Sequence, residues 1–555
     1  MDYKNEYLTE QIITYLGNKR KLIGFIDETV DKIIANDEYL KNKNVKDISF
    51  IDIFAGSGIV SRYSKLKGFK TYSNDLELYS KLIQDVLIGV NENELNGIFK
   101  NSVLNLNLKS TSFYVDNDNY QTILNYLNSL NDVQDSNNLY WSIHYAPKDT
   151  NNPNFETERL FYTQENARRL DAIVEQIESN NFTNIEKKII QASLMYKMTK
   201  HINTSGTMKG FHNGWGGQGG AAKERIMEII KLDKLPLING NVGEIFNTYA
   251  ENLFLENEDL EEFDFVYADP PYNSHQYSSN YNHLNTLAKN DRWNPGEVGN
   301  RTRAGIRTDH NRSDFCKRTI GEEKTLAEEA FSKFIKNIKC KYIILSYNNE
   351  GIIGIEDLMS ILSENYKNTI SIDLRKYNKY RGGKSTQTSN VVMEYIIIVQ
   401  KNVEQSIEDF EKVKKTIKLV TQKHLFLDKF INYKGFGGKI DDLNLIENES
   451  TYSIFYKDID ILEIDKSTYK VINENIEDVD NEIIEYISQF EVSQKEDLIE
   501  LYFQDRNVEQ IKKLIPIFKL KKHEEIRKKF NERLNKMIEE IIEEEKRVKK
   551  EIEAL

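Results

Sequence analysis

Unbroken apolar runs, rather than strictly alternating ones, mark the first 400 positions of the chain. Ile48 to Phe54, Phe263 to Ala268, Lys341 to Tyr347 and Val391 to Gln400 are rich in Ile, Val, Phe and Tyr. Most are shorter than the roughly ten residues a helix needs, so they read as strands covered on both faces. Lys70 to Asp75, Leu237 to Val242 and Ser371 to Lys376 supply three more candidates. Helical patterns separate several of these runs, and such alternation predicts an α/β fold built on a mainly parallel, seven-stranded, Rossmann-like sheet.

Two segments interrupt the alternation. Residues 91–236 are too long for a simple connection and contain a helical run, Glu165-Asn166-Ala167-Arg168-Arg169-Leu170-Asp171. The segment closes on Gly206 to Gly220, where seven glycines surround Trp215 and allow close backbone approach to a partner. Arg292 to Ile320 is the second interruption, with five arginines plus Lys317 and Arg318 against three acidic residues. After Gln400 the sequence turns charge-rich and glycine-poor, which places a boundary near 400. The expected organisation is a first core part at 1–90, an inserted region at 91–236 that contacts the substrate, a second core part at 237–400, and an α-rich domain at 401–555. Phe530, Leu534, Met537, Ile541 and Val548 form a helical stripe in that last part, expected to pack within its own domain rather than in a coiled coil.

Composition narrows the chemistry. No stretch approaches the roughly 20 apolar residues of a membrane helix, and the polar start lacks the form of a signal peptide, so a soluble, cytoplasmic protein is expected. Two cysteines and eight scattered histidines offer neither a disulfide framework nor metal-ligand spacing, and no metal is predicted. A net charge of −13 argues against indiscriminate nucleic-acid binding, which needs clustered cations. The basic loop after Arg292 is one such cluster, with Arg301, Arg303, Arg307 and Arg312 as candidates. A second interleaves cations and tyrosines from Arg375 to Lys384 and includes Lys379, Arg381 and Lys384, as backbone-tracking and stacking surfaces do.

Asp269-Pro270-Pro271-Tyr272 follows the apolar run ending at Ala268, so a carboxylate, two rigid prolines and an aromatic ring share the end of a buried strand. That combination suits amino-group chemistry. The carboxylate accepts one amino hydrogen, a proline carbonyl faces the other, and the tyrosine stacks on a flat heterocycle. Two acceptors pulling on the hydrogens favour the pyramidal nitrogen on which a lone pair localises. Upstream, the strand ending at Phe54 runs into Ala55-Gly56-Ser57-Gly58 and then a helix, a nucleotide-binding opening. Asp75 ends the next strand about twenty residues later, where such folds hold ribose hydroxyls.

The order of these elements is more specific than any one of them. Tyr15-Leu16-Gly17-Asn18-Lys19-Arg20 comes first, Phe54-Ala55-Gly56-Ser57-Gly58 next, and Asp269-Pro270-Pro271-Tyr272 after a long insertion. This arrangement resembles the alpha class of DNA adenine-N6 methyltransferases, the Dam-like and type II modification enzymes, over roughly residues 7–400. The resemblance implies a class I methyltransferase fold and S-adenosylmethionine as donor. It assigns Tyr15, Gly17 and Lys19 to the methionine end of that donor, Phe54, Ala55, Gly56 and Gly58 to the turn beneath it, and Asp75 to its ribose. Asn241 stands where the family often has an aspartate near the donor adenine, a departure that keeps one hydrogen-bond acceptor. Asp269, which also lies beside the donor, and Pro270 and Tyr272 take the target base. Double-stranded DNA is the implied partner, with base flipping for access and a cognate restriction endonuclease as a possible companion. Methylation of a cytosine carbon would require a Pro-Cys nucleophile, and Cys316 follows Phe315 while Cys340 follows Lys339. Amino methylation of cytosine, which uses the same chemistry, methylation of RNA or of a protein amide, and a catalytically silent DNA-binding protein remain the alternative readings.

Overall fold

The computed structural model describes residues 3–179, 181–274, 276–319, 325–348, 351–378 and 391–414, then 417, 443–447, 451–456, 459–465, scattered positions from 499 to 512, and 524–554. Seven strands form one sheet in the order β3-β2-β1-β4-β5-β7-β6. At its centre β1 (Ser49–Asp52) lies parallel to β4 (Phe263–Ala268), with Phe50 opposite Phe265 and Asp52 opposite Tyr267. The pairs from β1 to β2 (Lys70–Asn74), from β2 to β3 (Val242–Phe246) and from β4 to β5 (Cys340–Asn348) are also parallel. β6 (Thr369–Asn378) and β7 (Val391–Gln400) complete the far side. All six residues of β4 are buried. A central strand covered by helices on both faces requires that, and it is why the sequence shows a continuous apolar run instead of alternation.

The strand order reverses at β1 and β4, because the chain winds outward in one direction through β2 and β3 and in the other through β5. Such a reversal leaves a crevice beyond the carboxyl ends of the two central strands. Asp52 and Ala268 are the last residues of those strands, so the glycine turn and the Asp-Pro-Pro-Tyr segment both emerge at the crevice.

Six of the seven expected strands lie where their apolar runs place them, and the third does not. Leu237 to Val242 was the expected span, whereas β3 begins at Val242. Leu232, Leu235 and Leu237 instead join a large apolar cluster built by the inserted region. That cluster packs the helices Asn119–Ser129, Gln164–Glu178 and Asn184–Lys200 against Leu78–Leu87 and Asn282–Lys289. The helix foreseen around Glu165 starts at Gln164, where the Thr163 side chain accepts a hydrogen bond from Asn166 N. Its neighbour opens on a Thr183/Glu186 capping box.

The chain divides into two compact units, Met1–Asp373 with Tyr395–Gln405, and Leu374–Glu394 with Ser406–Leu555. Among its described residues the second unit holds an antiparallel sheet, β10-β9-β8 (β8 Leu443–Glu447, β9 Thr451–Tyr456, β10 Ile459–Asp465), and the helix Glu524–Ala554. Phe530, Leu534 and Met537 of the helical stripe are buried, and Phe530 stacks on Phe503. Ile541 is half-buried, and the side chain of Val548 lies outside the described residues. No helix among the described residues is long and apolar enough to cross a membrane.

Candidate active site

The glycine turn after β1 is shaped by what crosses it. Gly56 and Gly58 have φ of +51° and +76°, a region that side chains other than glycine's enter at a cost of about 1–2 kcal/mol. Neighbouring side chains crowd both positions as well. A Cβ on Gly56 would stand 2.7 Å from the Tyr15 ring, and one on Gly58 would stand 2.5 Å from the Gln84 amide. Tyr15 is fixed in turn by rings on its other side, stacked with Tyr277 at 5.2 Å and Tyr281 at 4.9 Å. The Tyr281 hydroxyl accepts Leu16 N at 2.7 Å, and the Tyr277 hydroxyl donates to Leu16 O at 3.3 Å. Two tyrosines that follow the Asp-Pro-Pro-Tyr segment thus hold the loop before Lys19.

These pieces line one open cleft. Tyr15, Gly17, Lys19, Phe54, Ala55, Gly56, Asp75, Asp269, Pro270 and Tyr272 all line it, while Gly58 closes the turn behind Gly56. The Asp269 side chain is only 18% accessible and forms a 3.1 Å ion pair with Lys19, itself 4% accessible. The Lys19 ammonium also lies 5.3 Å from the centre of the Tyr272 ring. That ring meets Tyr347 edge-on at 6.0 Å, and Ile352 N donates to Tyr272 O. Chemically, this corner offers a fixed anion and an aromatic face side by side, suited to a planar group that carries hydrogen-bond donors.

The opposite side of the cleft carries more carboxylates than the sequence had shown. Asp75 accepts Gly56 N at 2.7 Å on one oxygen and Glu77 N at 2.8 Å on the other. Glu77 also lines the cleft, accepts Asn285 Nδ2 at 2.6 Å and has its acidity weakened by burial to a pKa of about 8. Asp52, buried beneath the turn, accepts the amide and hydroxyl of Ser61, and burial raises it to about 7. Glu251 is raised by burial too, and among the described residues its Oε2 has no hydrogen-bond partner.

Asn241 is not part of this cleft. It precedes β3 at the amino end of the sheet, where its amide donates to Lys46 O at 2.7 Å. The strand starts later than its apolar run suggested, so the residues that reach the cleft after β3 are Thr248, Tyr249, Ala250 and Glu251. Correct placement of β3 in the sequence would have pointed to Glu251.

The basic loop sorts into different roles. Arg307 is 1% accessible and bonds both carboxylate oxygens of Asp291 as well as Asp309, so it is a knot inside the loop and is withdrawn as a contact to an outside partner. Arg301 and Arg312 are exposed and Arg303 is half-buried. The loop's last turn returns to the site, where Ser313, Phe315 and Cys316 line the cleft and Ser313 exchanges two hydrogen bonds with the Gln276 side chain. Burial lifts the Cys316 thiol to about 12, so it stays protonated at neutral pH and is no nucleophile there. Lys379, Arg381 and Lys384 lie outside the described residues. No group of three potential metal ligands occurs among the described residues.

Residues 15–361 match the family described as D12 class N6 adenine-specific DNA methyltransferase. Among curated proteins, the chain is 28% identical over 439 residues to modification methylase StsI of Streptococcus sanguinis, covering 78% of this chain and 58% of the relative. It is 27% identical to type II methyltransferase M.FokI of Planomicrobium okeanokoites, over 78% of this chain and 59% of that protein. M.CviAII of Paramecium bursaria Chlorella virus 1 is 27% identical over 70% of this chain and 98% of its own length. The chain thus spans under two thirds of the first two relatives. No solved structure matches it significantly.

Proposed function

The chain belongs to the D12 class of N6 adenine-specific DNA methyltransferases, and from that premise we propose that it transfers a methyl group from S-adenosylmethionine to the N6 amino group of an adenine flipped out of duplex DNA. One observation carries the reading. The glycine turn, the Tyr15–Lys19 loop and the Asp-Pro-Pro-Tyr segment, far apart in sequence, line a single cleft at the strand-order reversal.

The residues present fit such a donor. Asp75 and Glu77, side by side on the cleft wall, would take ribose hydroxyls. Glu251 would accept the exocyclic amine of the donor adenine, which would satisfy an oxygen without a hydrogen-bond partner among the described residues. Tyr15, Gly17 and Lys19 would hold the methionine end beside the turn at Phe54, Ala55, Gly56 and Gly58. When bound, the donor supplies a methyl group on a sulfonium, which can be displaced directly without a covalent enzyme intermediate.

The protein's task is then positioning and electrostatics. Tyr272 stacks on the extruded base, a contact worth about 1–3 kcal/mol in single-strand binders. Asp269 and the Pro270 carbonyl draw on the two amino hydrogens, so the nitrogen lone pair localises toward the methyl. Lys19 fixes the Asp269 carboxylate in that orientation through the 3.1 Å pair. The exposed Arg301 and Arg312 hold DNA phosphates. The protein would act as the modification partner of a type II restriction endonuclease.

Incubating the chain with methyl-labelled donor and duplex DNA, RNA or protein tests this. N6-methyladenine in the duplex is expected. Label confined to RNA or protein would overturn the DNA assignment, and no transfer to any substrate would overturn the catalytic one.

A further inference from the structure

The glycine-rich segment, read from sequence only as backbone able to approach a partner, is a built loop that meets the basic loop. Asn203 is its hub. This fully buried residue accepts His212 N on its carbonyl and Gly216 N on its side-chain oxygen, while its amide donates to Leu160 O at 2.9 Å. The loop between residues 203 and 216 is therefore closed at its base, and Met208 N donates to Asn280 O, just beyond the Asp-Pro-Pro-Tyr segment.

The basic loop is equally fixed. Arg159, 3% accessible, donates to the carbonyls of Pro295, Gly296, Thr302 and Arg303, and Arg307 ties down the next residues. Between these anchors Arg303 reaches across to the glycine-rich loop. Its guanidinium lies 4.9 Å from the centre of the Phe211 ring and donates to Asn213 Oδ1 at 2.6 Å. Asn213 is exposed and Arg303 half-buried. Lys209, exposed on the same loop, lies close enough to Cys316 of the cleft wall for the two to interact electrostatically.

We propose that Arg303, supported by Phe211 and Asn213, reads a base of the recognition sequence from the groove, while Lys209 and the exposed Arg301 hold flanking phosphates. This rests on the DNA methyltransferase reading and extends it by naming a specificity-determining residue. A planar guanidinium presents two parallel donors that match the two acceptors on a guanine edge, which an ammonium cannot do. Stacking and the Asn213 bond fix its plane in advance, so less side-chain freedom is lost on contact. Phosphate contacts, by contrast, position without specifying sequence.

The test uses the full chain and a pool of duplexes with a randomised core, selecting bound DNA and reading its sequence. In parallel, adenine methylation is mapped in genomic DNA of a host expressing each variant. Arg303→Lys keeps the charge and loses the fork, and it should relax one position of the preferred sequence, with discrimination there falling about tenfold to a hundredfold. Arg301→Ala should lower binding evenly and leave the preference intact. An unchanged preference in Arg303→Lys, whether binding is normal or evenly weakened, overturns the proposal. If that variant does not fold, Asn213→Ala decides: relaxation at a single position supports the reading and an unaltered preference sinks it. A wild-type protein that selects a sequence but methylates nothing would defeat the catalytic reading alone, since the binding selection does not depend on turnover.

Discussion

Removing the Asp269 carboxylate should damage the protein in two separable ways. The 3.1 Å pair with Lys19 corresponds to about 5 kcal/mol of attraction at an effective dielectric near 20. Solvent screening at the partly exposed carboxylate reduces this, leaving about 2–3 kcal/mol of coupling. Asp269→Ala leaves the Lys19 ammonium without that counter-ion and should lose about this much stability. Lys19→Met should lose a comparable amount. The double variant buries a thioether where the charge was and should recover most of one loss, since neighbours in direct contact are not additive. Methyl transfer behaves differently: Asp269→Ala should lose at least a thousandfold in kcat, and the double variant should recover none of it, because the amino-group acceptor is still absent. Chemical denaturation of the four proteins measures the coupling, and single-turnover methylation measures the chemistry. Additive stability losses would refute the ion-pair argument. Turnover in Asp269→Ala within tenfold of wild type would refute the catalytic one.

Other consequences are as direct. Tyr272→Ala should weaken productive base binding by about 1–3 kcal/mol, read as rate loss on duplex DNA, and undiminished activity would contradict stacking. Glu251→Ala should raise the donor dissociation constant about tenfold by calorimetric titration, the effect of about one hydrogen bond to a charged or buried acceptor; equal affinity would place the donor adenine elsewhere. Glu77 is neutral in the folded protein up to a pKa of about 8, whereas the unfolded carboxyl ionises near 4.5. Stability therefore falls as pH rises between those values, by up to about 1.4 kcal/mol per unit, and levels above 8. Glu77→Gln, which can still accept from Asn285, should gain on wild type at pH 9 and match it at pH 4 in thermal melts, and parallel curves would contradict the burial argument. Gly58→Ala should cost at least about 1–2 kcal/mol from the left-handed backbone alone, with a further loss from the 2.5 Å approach to Gln84; unaltered melting would disprove the crowding.

Local steric and hydrogen-bonding demands leave local marks, and those were legible in the chain. A turn crossed by the Tyr15 ring needs glycine at 56, and a doubly covered strand needs the apolar run from Phe263 to Ala268, at whose end Asp269-Pro270-Pro271-Tyr272 enters the cleft. The alternation of such runs with helices was enough to imply the sheet, and the order of the three motifs was enough to imply the chemistry. Partners distant in sequence were decided only when the chain folded. Leu237 looks like a strand residue until the helical cluster claims it, which moves β3 and replaces Asn241 by Glu251 at the cleft. Arg303 and Arg307 stand four positions apart with the same charge. One is spent on Asp291 and Asp309, and the other is laid on Phe211 some ninety residues upstream. An ion pair or a stacked ring depends on where two surfaces meet in space, and no periodicity along the chain records that meeting.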